Sequence, residues 1–382
     1  MLNDDACLKC SLCIAACPIV RVDSAFSGPK ALGPEWWRSA VAADFQQTDA
    51  SVDDCTFCQL CEEACPAQVP VAHLIAQHKD RHRRYRSKIG RLRDFALSHP
   101  HWIGRLPVGP DKVPRLFATA FRLSRKADYP KKNRIFRSLH QSVPNREIGL
   151  FVDCFNRDYG GETVKAAVWI LNQLGYQVQL VPRDAHCCGA AAYASGRLQD
   201  AKDIAASTYD ALNRTPVSTL LTLNATCDGT IRDEWPRYLG LDSPTTVVMP
   251  WTDWIVSHAP QEFWAQVSEK GRQVLVHTTC RGKVAQGEGA MEQLAALTSA
   301  IPVPLGIACC GAAGSYAFKA EHEDAAAALG KSAKSALEEL CLTPEPESML
   351  VDSGTCALHL HQYTEVSALH PALWLYQRLN KG

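Results

Sequence analysis

Seventeen cysteines stand in a chain of 382 residues, and sixteen of them fall into patterned sets. The first set is Cys7-x2-Cys10-x2-Cys13-x3-Cys17-Pro18, and the second is Cys55-x2-Cys58-x2-Cys61-x3-Cys65-Pro66. Both follow the C-x2-C-x2-C-x3-C-P spacing that holds [4Fe–4S] cubes. Three thiolates on one tight loop can reach three irons of a cube. The fourth, ahead of the proline, sits on a following helical turn and reaches the other cluster. The spacing therefore assigns Cys7, Cys10, Cys13 and Cys65 to one cluster and Cys55, Cys58, Cys61 and Cys17 to a second, close enough to exchange electrons. A zinc site or buried free thiols could explain one such run, but two runs with the same spacing argue against both.

The remaining sets repeat. Gly149-Leu-Phe-Val-Asp-Cys154 and Val274-Leu-Val-His-Thr-Thr-Cys280 are apolar strands that run into a cysteine. About thirty residues on, each is followed by a vicinal pair, Cys187-Cys188-Gly189 and Cys309-Cys310-Gly311. A second apolar strand then leads to Cys227 in the first copy and to Cys356 in the second. The offsets between corresponding cysteines are 126, 122, 122 and 129 residues, which reads as an internal duplication. Vicinal cysteines are awkward ligands for a regular cube. They suit a cluster of altered geometry, or a site that keeps one thiol free for redox chemistry. The alternative is a set of buried structural cysteines. Cys341 has no counterpart and is read as a structural thiol.

The elements that must position these thiols are legible in outline. Residues 161–174 carry Val164, Val168 and Leu171 at helical spacing, residues 197–213 and 321–340 are Ala-rich with charged faces, and 35–47 could be helical. Short apolar strands alternating with helices predict an α/β fold with a largely parallel sheet. In such sheets functional groups gather at the carboxyl ends of the strands. Cysteine and charge divide the chain at the same points. Residues 1–80 hold 5 basic and 11 acidic groups and eight cysteines; 81–146 hold 18 basic and 3 acidic groups and no cysteine; 147–382 hold 17 basic and 26 acidic groups and nine cysteines. The expected organisation is a two-cluster ferredoxin-type helical domain (1–80), a basic connector (81–146) and a duplicated α/β Cys-Cys-Gly domain (147–270 and 271–382).

The connector carries Arg81-His-Arg-Arg-Tyr-Arg-Ser-Lys88 and a segment, 113–126, that places Leu116, Ala120 and Leu123 on one helical face beside Arg115, Arg122, Arg125 and Lys126. Trp102 and Phe136 add aromatic side chains. A basic segment with apolar faces fits a helix lying on an anionic membrane surface, or one docking on an acidic partner protein. No nucleic-acid motif supports a third use.

Several classes are excluded. An apolar fraction of 46% and a charged fraction of 21% do not describe a disordered chain. No apolar run reaches the ~18 residues of a spanning helix, and the N-terminus has neither a basic nor an apolar signal region. An odd number of cysteines without an export signal speaks against a disulfide framework. No dinucleotide fingerprint, phosphate-binding lysine loop, nucleophile elbow or zinc-protease helix occurs, so a flavin would belong to another chain.

The two ferredoxin runs joined to two Cys-Cys-Gly repeats resemble the family of iron–sulfur subunits of anaerobic glycerol-3-phosphate dehydrogenase and of glycolate oxidase. The repeats are also similar to those of heterodisulfide reductase. Ser27-Gly-Pro-Lys30 and Gly33-Pro34 look like the glycerol-3-phosphate enzyme; Cys356-Ala-Leu-His359 looks like glycolate oxidase. The resemblance implies an electron carrier between an FAD-dependent dehydrogenase partner and membrane quinone, peripheral to the inner face of the cell membrane. The partner's substrate would be glycerol 3-phosphate, glycolate, lactate or another 2-hydroxy acid. A disulfide-reducing role is the alternative. In the family's full repeat a fifth cysteine follows in Cys-x-x-Cys, able to help hold a noncubane cluster. Here that position is Thr230 in the first repeat and His359 in the second, and His359 could substitute as a nitrogen ligand.

Overall fold

The computed structural model describes residues 6–42, 47–100, 110–112, 115–133, 147–181, 187–215, 217–267, 269–286 and 289–380. The head is helical. Its two cysteine runs lead into matching short helices, Leu12–Ala15 and Leu60–Glu63, and both pack beneath the longer helix Val71–His82 or its neighbours. The helix expected at 35–47 begins earlier, at Gly28, passes through a π-helical stretch at Ala31–Glu35, and runs to Ala42.

The C-terminal half contains two four-stranded sheets. The first is built from β1 (Glu147–Phe151), β2 (Gln177–Val181), β3 (Thr219–Thr222) and β4 (Val247–Pro250), in the order β2-β1-β3-β4. The second is built from β5 (Gln273–His277), β6 (Ile301–Pro304), β7 (Ser348–Val351) and β8 (Ser367–Leu369), in the order β6-β5-β7-β8. Every pairing is parallel, and the orders are the same once the duplication is applied. The central strands β1, β3, β5 and β7 are nearly all buried, as strands covered by helices on both faces must be. Pro302 and Pro304 fall on β6, an edge strand, where a missing N–H breaks no interior ladder.

The two repeats are joined face to face. Helix Gly161–Gln173 after β1 packs on helix Pro371–Leu379 after β8. In the equivalent place, helix Ala290–Leu297 after β5 packs on helix Trp251–His258 after β4. This reciprocal pairing makes one apolar core from both copies, including Leu150, Ile170, Leu171, Trp251, Leu294 and Trp374. Neither repeat could bury that face alone.

The connector departs from the expected amphipathic surface segment. The helix in its second half ends at Ala120, because Arg122 turns into the left-handed region and Leu123 pairs with Lys319 of the second repeat. Lys126 lies against Glu323 and Asp324. In the first half, Arg86 binds Asp53 and Asp94, and Arg93 binds Asp94 and Glu321. The charges of Arg86 and Arg93 are therefore neutralised inside the protein, because acidic groups of the head and the second repeat fold onto them. Trp102, Phe136 and the side chains of residues 115–117 lie outside the described residues. Among the described residues no helix is long and apolar enough to cross a membrane.

Candidate metal centres

Each cysteine run of the head folds into the same loop. Lys9 and Ser11, and at the same places Phe57 and Gln59, have positive φ although none is glycine. A left-handed residue followed by right-handed helical ones, as at Ser11 and Gln59, is the kind of turn that makes concavities for anionic groups such as an iron–sulfur cluster. The helices Leu12–Ala15 and Leu60–Glu63 then carry Cys13 and Cys61.

The structure brings the thiols together crosswise. Cys7, Cys10, Cys13 and Cys65 line one open cavity of about 360 Å³, walled by Pro34, Pro66, Val69 and Val71. Cys17, Cys55, Cys58 and Cys61 line another of about 340 Å³, walled by Ile19, Phe26 and Ala72. Each cavity takes three thiols from one run and the last thiol of the other. The first set is the more accessible, with Cys10 exposed. Phe57 N–H donates to Cys55 Sγ at 3.4 Å. Among the described residues no three His, Cys, Asp or Glu groups meet as a single-ion site requires; the thiols stand around voids.

In the repeats, the strand ends and the helix caps set the thiols. Asp153 caps the helix Cys154–Asp158, accepting from Phe155 N and Asn156 N, and Asn224 caps Ala225–Gly229, accepting from Thr226 N. Thr279 Oγ1 accepts from Gly282 N at the start of the helix Cys280–Gln286. So Cys154 and Cys280 open helices just past β1 and β5. Cys227 and Cys356 sit in the first turns of helices past β3 and β7, rather than at the strand ends where the sequence placed them. Each vicinal pair ends in a left-handed glycine, Gly189 at φ +92° and Gly311 at φ +90°. A Cβ there would lie 2.9 Å from Ala201 O and 2.8 Å from Ala326 O respectively, so both positions require glycine for space as well as for φ.

In the first repeat, Cys188 donates to Cys227 at 3.3 Å, and Cys187 and Cys154 stand 3.9 Å apart. Thr208 Oγ1 and Trp235 Nε1 donate to the carbonyls of Cys187 and Cys188 and fix the pair. In the second, Gly311 N–H donates to Cys309 Sγ at 3.4 Å and Ala312 N–H to Cys310 Sγ at 3.5 Å. Hydrogen bonds to sulfur tune the potential of an iron–sulfur centre. His359 Nε2 donates to the Ala326 carbonyl at 3.1 Å, which fixes the tautomer with the proton on Nε2. Thr230 is fully buried and donates to Glu234. Cys341 is exposed at the end of helix Glu323–Glu339, away from the core in which a structural thiol would sit.

The electrostatics fit a cationic core in the second head set and in the thiol set of each repeat. Burial pushes the Cys58 and Cys61 thiols well up, with the neighbouring thiols adding to it. The bond to Cys187 and then burial push Cys154 up, and the bond to Cys309 and then burial push Cys280 up. Thiols this crowded and this dry do not ionise by themselves, whereas a coordinating metal deprotonates them outright. Sequence reasoning missed the polar groups that hold these sets against one another. Lys79, 4% exposed, donates to the carbonyls of Cys55 and Ala194, tying the head to the first repeat. Glu234 bonds to both Gln59 and Arg281. No sequence pattern pairs residues so far apart.

Comparison with known proteins agrees with this geometry. Residues 4–69 match the 4Fe-4S dicluster domain, and residues 148–232 and 274–361 each match the cysteine-rich domain. One of the subunits of anaerobic glycerol-3-phosphate dehydrogenase from Escherichia coli (strain K12) is 26% identical over 407 aligned positions, covering 99% of this chain and all of that one. One of the subunits of the fumarate reductase (CoM/CoB) of Methanothermobacter marburgensis is 25% identical over 61% of this chain and 44% of its own length. The fumarate reductase iron-sulfur subunit of Mycobacterium tuberculosis is 37% identical over 81 residues, 19% of this chain.

Proposed function

The chain belongs to the iron–sulfur proteins that join a 4Fe-4S dicluster domain to a pair of cysteine-rich domains, and from that premise we propose that it is the electron-transferring subunit of a dehydrogenase complex. Electrons would come from an FAD-dependent partner that oxidises glycerol 3-phosphate, glycolate or another 2-hydroxy acid, and would be delivered to membrane quinone. Full-length similarity to a component of anaerobic glycerol-3-phosphate dehydrogenase supports the partner. The observation that carries the reading is the crossed thiol arrangement of the head, with two further four-thiol sets behind it.

The ligand sets of the proposal are Cys7, Cys10, Cys13 and Cys65; Cys17, Cys55, Cys58 and Cys61; Cys154, Cys187, Cys188 and Cys227; and Cys280, Cys309, Cys310 and Cys356, with His359 beside the last. Iron–sulfur clusters held there supply one-electron redox chemistry without atom transfer. The chain's own residues do the rest. The left-handed loop residues aim the thiols, apolar neighbours keep the sets of the repeats largely buried, and the backbone N–H bonds at Cys55, Cys309 and Cys310 stabilise negative charge on sulfur.

Peripheral attachment to the inner membrane face belongs to the same proposal. Tyr85, Ile89 and Leu92 are 65%, 51% and 57% exposed, and Arg84, Lys88 and Arg91 are exposed beside them. This part of the connector is amphipathic. Each basic group near an anionic surface contributes about 1 kcal/mol.

The test is reconstitution of the chain with its flavin partner and quinone-containing vesicles. Quinone reduction that requires this chain is the expected result. Full reduction by the partner alone overturns the reading, and turnover of a small disulfide by this chain would favour the disulfide-reducing alternative.

A further inference from the structure

Glu234 is 1% exposed and lies where the head and both repeats meet. It stands in a π-helical stretch, Thr230–Leu239, that follows the Cys227 helix. Its Oε1 accepts from Gln59 Nε2 at 2.7 Å and pairs with Arg281 Nη2 at 2.7 Å. Its Oε2 accepts from Thr230 Oγ1 at 2.8 Å. Gln59 directly follows Cys58, and Arg281 directly follows Cys280. One buried carboxylate from the first repeat thus grips the neighbours of two thiols that belong to different sets. Thr230, at the position where the fifth cysteine of the repeat is missing, helps to orient that carboxylate. Gly229 leaves the room: a Cβ there would lie 3.1 Å from Arg281 Nη2 and 3.2 Å from Ala285 Cβ.

The packing around this grip is unequal. Cys17, Cys58 and Cys61 of the head share one buried apolar cluster with Cys280, Cys309 and Tyr316 of the second repeat. The helix Cys280–Gln286 lies directly against Leu60–Glu63. Towards the first repeat, the head presents Phe57, Ala72 and Ala76 to Cys187, Cys188 and Cys227, and among the described residues no head thiol enters that cluster. Arg281 Nε and Nη1 are buried without hydrogen-bond partners, so Glu234 is the group that keeps this guanidinium, and with it the Cys280 turn, in place.

We propose that Glu234 is a positioning residue that clamps the Cys55–Cys61 loop of the head onto the Cys280 turn, making the second repeat, rather than the first, the redox neighbour of the head. The proposal rests on the iron–sulfur reading above. It assigns Gln59, Thr230 and Arg281 to the clamp and gives the two similar repeats different places in the chain of centres.

The test is electron paramagnetic resonance of the full chain, purified anaerobically and reduced stepwise with dithionite, with iron measured on each sample. Magnetic splitting between the head and a repeat centre is expected in the native protein. It should vanish in Cys310→Ser and survive in Cys188→Ser. Glu234→Gln should keep the native iron content and lose the splitting, and Gln59→Ala, which leaves the Arg281 pair intact, should weaken it. A purely structural Glu234 would lower stability and leave the splitting alone. Unchanged splitting in Glu234→Gln at native iron content overturns the clamp, as does splitting that depends on Cys188. If Glu234→Gln does not fold, Gln59→Ala decides by the same criterion. Native iron of only about 8 per chain, enough for the head alone, overturns the reading of the repeats as redox centres and the clamp with it.

Discussion

Asp94→Asn should loosen the head and connector from the second repeat without touching any thiol. Asp94 is 2% exposed and meets three cations: Arg86 at 2.8 Å, Arg93 at 2.9 Å and Lys319 at 3.1 Å. Burial by itself would raise its carboxyl; Lys319, Arg86 and Arg93 outweigh that and hold it down at about 2. A fall from an ordinary ~3.9 to about 2 corresponds to roughly 2.5 kcal/mol of stabilisation at neutral pH. Removing one member of a buried ion cluster costs about 3–5 kcal/mol when its partners are left unpaired; here Arg86 keeps Asp53 and Arg93 keeps Glu321, and Lys319 loses its ion pair, which places the cost at the low end. Both routes agree on roughly 2.5–3 kcal/mol. Because the pKa is lowered on folding, the contribution is complete above pH ~4 and is lost as pH falls from there towards 2. The assay is anaerobic thermal denaturation at neutral pH, followed by circular dichroism and by cluster absorbance. A drop of roughly 3–4 °C is expected for Asp94→Asn, since ~2.1 cal/mol/K per residue over the 382 residues amounts to about 0.8 kcal/mol per degree. Glu162→Gln, which breaks an exposed pair with Lys165, should change stability by less than about 0.5 kcal/mol. An Asp94→Asn melt within about 1 °C of the native protein would refute the argument that this network is buried and coupled across the interface.

Other outcomes follow from the same structure. Cys17→Ser and Cys58→Ser should perturb one head signal in paramagnetic resonance, and Cys65→Ser and Cys10→Ser the other, because the cavities mix the two runs; grouping by run instead would refute the crossing. Gly196→Ala should cost roughly 2–4 kcal/mol in denaturant unfolding, because φ is +72° and the added Cβ would lie 2.3 Å from Lys79 Cβ and 2.6 Å from Asp80 N. Replacing Tyr85, Ile89 and Leu92 together by Glu should abolish sedimentation with anionic vesicles at unchanged iron content; retained binding would remove this face from the membrane proposal.

The parts of the protein that sequence alone could reach are those in which chemistry is local. The runs Cys7–Cys17 and Cys55–Cys65 are legible because a cluster loop is only eleven residues long and its spacing is its geometry. The duplication is legible because its cysteines recur at near-constant offset. The helices near 161–174 and 197–213 follow from apolar periodicity and are found at Gly161–Gln173 and Leu198–Asn213. Edge strands such as β6 and β8 escaped notice, being only four and three residues long and carrying no pattern of their own.

The connector shows where such reading stops. Its basic residues suggested an outward-facing segment, yet Arg86 and Arg93 are paired with Asp53, Asp94 and Glu321. Composition records the charge of Arg93 but not that Glu321, 228 positions away, folds over it. The same holds for Glu234 and Arg281. Sequence determined which residues could hold iron, because ligand loops are short and their conformation is set by adjacent residues. Tertiary structure decided which thiol sets face each other and which charges remain free. Those depend on ion pairs and apolar walls assembled from distant segments, whose energies exist only once the chain has brought them together and excluded water.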